Sequence, residues 1–443
     1  MTLARSAIDW RHVAGLGVAL VIAGQFSGWN YGLVSAGWAN MIVATLLMAA
    51  LSFGLAQCLA ELSAARPHAG GLYIYCEDAF GPFAGYLVGC AVVVALTIGT
   101  GAAAEFISAY STHVFGFGGW PLKIGIFVVI LFLHLRGVGE AMRLMVGAGL
   151  LAMAAILLFG ATMLPHFDPA NLTLPGQGLH VDPRGIFSCI PFAIWLFIAV
   201  EQTAAAAEEV SEPARNMPRG IIAAVLTLLV SAMVVLVLGV GGGGIQHIGG
   251  ADDPLYAAMA SPEVGGTAGW TTAFVGLGGI VGLLGTLFSL IYSTSRQIFA
   301  LARDGRLPAI LGRTNRRGTP DLALLLVVAV GVGMSAISPD KVLLIVVLSL
   351  SLSYVVLLAS FIRLRLTRPD MPRPFRAAGG IGTALVCMLL SGALFAACFQ
   401  VDAIVLAGLG LLFAVIVLSY LRLPVHRAQP SSLLPEERSV DAS

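Results

Sequence analysis

The chain has 443 residues, of which 58% are hydrophobic and 11% charged, and its formal net charge is +1. Soluble domains carry about 25% charged residues, so an ordinary water-facing surface is excluded, and the small net charge removes any bulk electrostatic basis for nucleic-acid binding. A mean hydropathy of +0.93 and 53 glycines fit apolar helices touching lipid and one another, where glycine permits close approach and broken segments.

In chain order, Arg5 and Arg11 precede an apolar run that is longer than a signal peptide's hydrophobic region and is followed by many others, so it is read as a retained first span. Stretches able to cross about 30 Å of hydrocarbon lie near residues 12–35, 38–64, 81–113, 121–138, 140–164 and 186–211. Six more lie near 219–241, 268–302, 320–337, 340–363, 381–400 and 402–421. The expected fold class is an all-α integral membrane protein of about twelve transmembrane helices spanning residues 1–423, with a disordered polar tail over 424–443. Of the 24 Lys and Arg, only Lys123, Arg184 and Lys341 fall in loops after odd-numbered spans. That asymmetry predicts cytoplasmic termini. The six cysteines show no CxxC spacing and read as small hydrophobes, with no metal site or cofactor implied.

Two spans are interrupted. Span 1 carries Gly24-Gln25-Phe26-Ser27-Gly28 at its middle; span 6 carries Pro191, then Ile198-Ala199-Val200-Glu201-Gln202. Five spans apart, they start from opposite sides of the membrane. Paired interruptions in opposed halves, here about 12–164 and 186–363, mark an inverted-repeat transporter with its site at the bilayer midplane. Irregular backbone is tolerated there because it lines a cavity rather than lipid. Taken alone, Gly24 and Gly28 read equally well as helix-packing glycines.

Glu201 has apolar flanks on both sides, and a charge at mid-bilayer costs about 2.5–3.5 kcal/mol on insertion scales. It is a candidate cation ligand, proton carrier or cap on unwound backbone; the bland alternative is a helix-ending carboxylate in a wet vestibule. Glu105, about eight residues from the outer end of span 3, is the second candidate coupling or cation site. Trp195 suits an aromatic lid over an amine, although a lone Trp in a membrane helix is commonly packing. Tyr31, Tyr110, Ser289, Tyr292 and Ser295 are weaker cavity candidates. A membrane enzyme would need a convergent nucleophile or a His/Asp cluster, but the eight His are scattered. A channel would need a filter-like motif, and none is present.

Four loop motifs, in order, carry a resemblance: AELSAARPHAGGLYIYCEDAFGP after span 2, EEVSEPARNMPRGI after span 6, ARDGRLP after span 8 and RPDMPRPFR after span 10. With these the chain resembles the amino acid–polyamine–organocation transporter family. GQFSGWNYGL in span 1 and PFAIWLFIAVEQTAAAAEE in span 6 look most like its ethanolamine-permease branch. The resemblance implies a leucine-transporter-type fold, with five plus five inverted helices, two more, and helices 1 and 6 broken. It also implies that the substrate amine meets the Ala23–Gly28 and Ile198–Glu201 backbones, with Trp195 as the aromatic gate. The implied site residues are Ala23, Gly24, Gln25, Ser27, Gly28, Trp195, Ile198, Ala199 and Glu201. There are two departures: Gly149 stands where many relatives carry a mid-span Lys, and Gln25 where Ser or Gly is usual. The expected activity is secondary transport of a small amine, ethanolamine first, chiefly on the resemblance in spans 1 and 6, with Glu201, and Glu105 as a second candidate, to offer a bare cation its counter-charge. The coupling ion would be a proton or sodium, and the alternative is an amino acid permease or exchanger.

Overall fold

Every apolar stretch read from the sequence contains helix, and no β-strand occurs among the described residues of the computed structural model: 9–67, 71–136, 141–174, 178–207, 210–265, 269–400 and 403–422. The tail expected to be disordered, and Glu208 and Glu209 of the loop motif, lie outside them. The first half comprises α1 (Trp10–Val21), α2 (Ala23–Phe26), α3 (Tyr31–Ala65), α4 (Leu72–Phe80), α5 (Pro82–Phe115), α6 (Trp120–Arg136) and α7 (Ala141–Met163). After α8 (Pro183–Trp195) and a 3₁₀ segment, Val200–Ala206, come α9 (Pro213–Met233), a π turn and α10 (Val240–Gly243). The remainder is α11 (Ile245–Ile248), α12 (Pro254–Met259), α13 (Trp270–Arg303), α14 (Asp321–Met334), α15 (Pro339–Thr367), α16 (Ile381–Ala397) and α17 (Ala403–Arg422).

Among the described residues, eight helical segments are long and apolar enough to cross a membrane, and three shorter apolar helices, Trp10–Val21, Asp321–Met334 and Val405–Leu421, accompany them. The outward faces agree. Leu150, Leu389 and Leu411 are 67–74% exposed, bare apolar side chains that suit contact with lipid. The chain is a multi-pass membrane protein.

Local sequence explains the boundaries that matter. Asp9 caps α1, its carboxylate accepting from Arg11 N and His12 N. Gly37 sits at φ 80° inside α3, so residues 31–36 form a short piece continuing helix 1 and the long second helix starts beyond it. Asp182 caps α8 with Pro183 at its first turn, where a missing N–H is harmless. Two connections read as loops contain helices: α4 after the second span, and α11 with α12 in the Gly- and Asp-rich 242–267 segment.

The long helix α5 is central, contacting α13, α14 and α15, while α3 packs on α8 and α9, and α1 on α9 and α7. One end is clamped by buried ion pairs. Glu61, 1% exposed, receives Arg365 Nε at 2.9 Å, Arg373 Nε at 3.2 Å and Ala377 N at 2.7 Å, tying the end of α3 to the end of α15 and its loop. Arg306 after α13 meets Glu77 of α4 at 2.5 Å.

Candidate functional site

Helix 1 breaks after Phe26. Ser27 is extended (φ −159°, ψ 156°), and Gly28 turns the chain at φ 98°, a conformation open to glycine and penalised for side chains. A Cβ at Gly28 would also lie 2.7 Å from Trp195 Nε1. Gly24 differs from the expectation of unwound backbone. It lies in the helical turn α2, and its missing side chain admits the other break, since a Cβ there would lie 2.6 Å from Trp195 O.

Helix 6 breaks just after Trp195. Pro191 lacks the N–H that would bond back along α8, the helix stops at Trp195, and Ala199 adopts a left-handed φ of 74°. For a residue with a Cβ that conformation stores about 1–3 kcal/mol of strain. The two breaks hold each other. Trp195 Nε1 donates to Ser27 O at 3.0 Å, and Gln25 Nε2 donates to Leu196 O at 2.9 Å. Two further donors reach helix 1 carbonyls: Trp29 Nε1 to Gln25 O at 3.0 Å and Tyr110 OH to Phe26 O at 2.8 Å.

Between the breaks lies a cavity of about 50 Å³. Ala23 and Gly24 of helix 1, and Trp195, Ile198 and Ala199 of helix 6, form one side. Ala95, Gly99, Ala103 and Phe106 of α5, Thr286 of α13, and Val346 and Leu350 of α15 contribute the others. Apart from the indole N–H of Trp195, Thr286 is the only polar side chain in the lining, and its hydroxyl donates to Ala19 O at 3.3 Å.

Five of the expected residues therefore line the cavity, while Gln25, Ser27, Gly28 and Glu201 stand behind its wall. Glu201 is 1% exposed, and its Oε2 accepts from Tyr354 OH of α15 at 3.0 Å. The carboxylate thus joins helix 6 to α15 rather than facing the space where a substrate would sit. Glu105 does not line the cavity either. Its Oε2 lies 2.6 Å from Lys123 Nζ, which is 5% exposed and also donates to Ser335 O at 2.9 Å, linking α5, α6 and the end of α14. A carboxylate already neutralised by a lysine is a poor counter-charge for a substrate cation.

Sequence reading did not single out Asn30, Thr286, Tyr354 or the small residues of α5. Of the weaker candidates, Tyr110 bonds the first break, Tyr31 bonds Asp252, and Ser289 and Ser295 bond carbonyls of their own helix. Asn30 is fully buried. Its Oδ1 accepts from Gly28 N at 3.1 Å, and its Nδ2 donates to the carbonyls of Ile248, Gly249 and Ala251 at 2.7–3.0 Å. Ser27 Oγ adds a bond to Asp252 O at 2.8 Å. The 248–252 segment is thereby stitched onto the unwound backbone. Asp253 follows, 2.5 Å from His113 at the end of α5. Burial pushes the carboxyls of Asp252 and Asp253 above the usual carboxylate range, opposed by Tyr31 at the first and His113 at the second.

Two interrupted helices meet at one cavity inside a helical membrane protein, an arrangement suited to carrying a solute across a membrane. The amino acid permease family profile matches residues 8–429, and the chain belongs to that family. It is 24% identical to the branched-chain amino acid permease BcaP of Bacillus subtilis, over 82% of this chain and 82% of the relative. An uncharacterized transporter of Rhizobium meliloti is 27% identical over 77% of this chain and 75% of its own length. Another, from Mycobacterium tuberculosis, is 29% identical over 73% and 72%.

Proposed function

We propose that the chain is a secondary permease that carries a small amine-bearing solute across a bacterial cytoplasmic membrane by alternating access. Twelve crossings, five plus five inverted and two more, with both termini cytoplasmic, give the orientation. The Glu61 clamp then lies on the cytoplasmic side and the 248–253 segment on the outer side. The observation that carries the proposal is the meeting of the two breaks at one cavity, lined by Ala23 and Gly24 of helix 1 and by Trp195, Ile198 and Ala199 of helix 6, with the indole of Trp195 at hand for an ammonium group.

For the substrate, the favoured class is an amino acid with a short apolar side chain. The apolar lining supports it, as does the absence of any carboxylate among the lining residues. A zwitterion brings its own counter-charge, and helix ends at breaks can hold its carboxylate. A bare cation would be buried unpaired, at a penalty of several kcal/mol. The second substrate reading is ethanolamine, favoured by the small volume of about 50 Å³ and by the resemblance in spans 1 and 6. Proton coupling through Glu201 is preferred to sodium, because Glu201 is a buried carboxylate with a hydroxyl rather than a cation as its side-chain partner across the helix interface.

The test is uptake and counterflow in proteoliposomes with alanine, leucine, 4-aminobutyrate, putrescine and ethanolamine, each with and without imposed proton and sodium gradients. Saturable counterflow of alanine driven by a proton gradient supports the favoured reading. Counterflow of ethanolamine alone promotes the second, and uptake of none of the amines overturns both.

A further inference from the structure

We propose that Gly99 of α5 sets the largest side chain the permease accepts: the space left by its missing side chain receives the substrate's own apolar side chain, beside Val346 of α15 and Leu290 of α13. The proposal rests on the permease reading above and deepens it. Gly99, Leu290 and Val346 all line the cavity, on the walls contributed by α5, α13 and α15 rather than by the two breaks.

Four glycines lie on α5, and packing accounts for three of them. A Cβ at Gly85 would lie 2.8 Å from Glu77 Cβ, one at Gly89 3.1 Å from Leu301 Cδ2, and one at Gly101 2.5 Å from Met334 Cβ. A neighbouring element already occupies each of those spaces. Gly99 is different. A Cβ there would lie 3.6 Å from Val346 Cγ2 and 4.0 Å from Leu290 Cδ1, ordinary van der Waals contact, with no third atom of another element within 4 Å. Its backbone is helical, so no turn calls for glycine either. Glycine is a poorer helix residue than alanine, and the bundle has room for alanine's methyl group. Neither packing nor backbone geometry accounts for this glycine; a solute that needs the space does.

The surroundings of the gap decide what enters it. The nearest atoms are methyl carbons of Val346 and Leu290. A hydroxyl or a charge placed against them would lose its hydration without gaining a partner, whereas a hydrocarbon group loses nothing. Ala95 and Ala103, one turn to either side on α5, also line the cavity, so Gly99 is the deepest point of a wall of small residues. One methylene more or less in such an apolar pocket changes selectivity by about 10- to 200-fold.

The experiment measures competition binding of glycine, alanine, valine, leucine and ethanolamine to purified full-length protein as wild type, Gly99→Ala, and Gly99→Ala combined with Val346→Ala. Glycine and ethanolamine carry no side chain beside the ammonium, and Gly99→Ala should leave their affinities unchanged. The largest amino acid that the wild type accepts should weaken by about tenfold or more in Gly99→Ala. Val346→Ala removes methyl groups from the neighbouring wall and should restore part of that loss. Thermal unfolding of Gly99→Ala should match or exceed that of the wild type, and a marked loss of stability overturns the proposal, since it denies the room for a methyl. An unchanged order of affinities in Gly99→Ala also overturns it, as does an equal loss of every ligand, glycine included, the signature of a displaced helix. Wild-type binding of ethanolamine with no amino acid overturns the side-chain role and leaves a permease standing. If the wild type binds none of them, the permease reading itself falls, an outcome distinct from a silent Gly99.

Discussion

The indole of Trp195 and the carbonyl of Ser27 join the two broken helices, with Nε1 3.0 Å from the oxygen. The same indole both lines the cavity and occupies the space where a side chain at position 28 would project. Trp195 therefore has two separable functions, a hydrogen bond and an aromatic face. Trp195→Phe removes only the bond and should weaken substrate affinity modestly, by about 2- to 10-fold. Trp195→Leu also removes the ring, adding a cation–π loss of about 0.5–2 kcal/mol. Competition binding on the purified variants separates them, and equal affinities in the two would remove any aromatic contribution.

Gly28→Ala should abolish substrate binding while leaving the protein inserted and helical. The substitution meets a φ of 98° and a Cβ contact of 2.7 Å to Trp195 Nε1. Left-handed backbone in a residue with a Cβ costs about 1–3 kcal/mol, enough to displace the break but small beside the stability of the whole bundle. Binding by isothermal calorimetry and helix content by circular dichroism are the two readouts. Normal binding would show that the break accommodates a methyl group.

Glu201→Gln and Tyr354→Phe should each slow transport and lose their pH dependence between about pH 5 and 8. They should also be non-additive, since they share one hydrogen bond between helix 6 and α15. Coupling of groups in contact is typically about 0.5–3 kcal/mol in a double-mutant cycle. Additive effects would mean that the two residues act independently, and a wild-type pH profile in Glu201→Gln would remove it from proton coupling.

If the 248–253 segment lies on the outer side, as the proposed topology has it, external acid should seat it more firmly. With the segment closed, burial raises the carboxyls of Asp252 and Asp253 above their usual range; once it opens to water they return toward ordinary values. The closed form then binds protons more tightly, so protonation favours closure as pH falls through the raised values, and the preference fades as pH rises above them. Labelling of a single cysteine introduced as Ala251→Cys should slow as external pH is lowered. The Asp252→Asn, Asp253→Asn double variant should flatten that response. Faster labelling in acid would reverse the sign and refute the linkage.

Much of the helical course was legible because a twenty-residue apolar run carries a strong signal, and the boundary between the first two spans falls beside Gly37, where the backbone turns. The interruptions were legible for the same kind of reason: Gly28 and Pro191 change backbone options in ways a sequence declares. Ala199 gave no such signal, because alanine is the best helix former and its left-handed φ is imposed by its surroundings. Partnerships were also hidden. Nothing near Glu201 points to Tyr354, 153 positions away, and Glu105 reads as an unpaired charge until α6 brings Lys123 beside it. Gly149, where the resemblance leads one to expect a lysine, is closed over by helix 1, a Cβ there lying 3.0 Å from Ala19 Cβ, which only the fold shows.

The stitching of Asn30 to the 248–251 carbonyls bears on how the chain is made. Its partners lie 218 to 221 positions downstream, so the ribosome delivers residue 30 to the membrane long before anything exists to satisfy it. Until then Asn30 and the opened backbone at Ser27 and Gly28 must remain hydrated or held by the insertion machinery, since hydrocarbon offers them no partner. The amino-terminal half made on its own, ending before Ile245, should therefore be recovered as a poorly inserted, protease-sensitive fragment. Supplying the second half as a separate polypeptide in the same cell should rescue it.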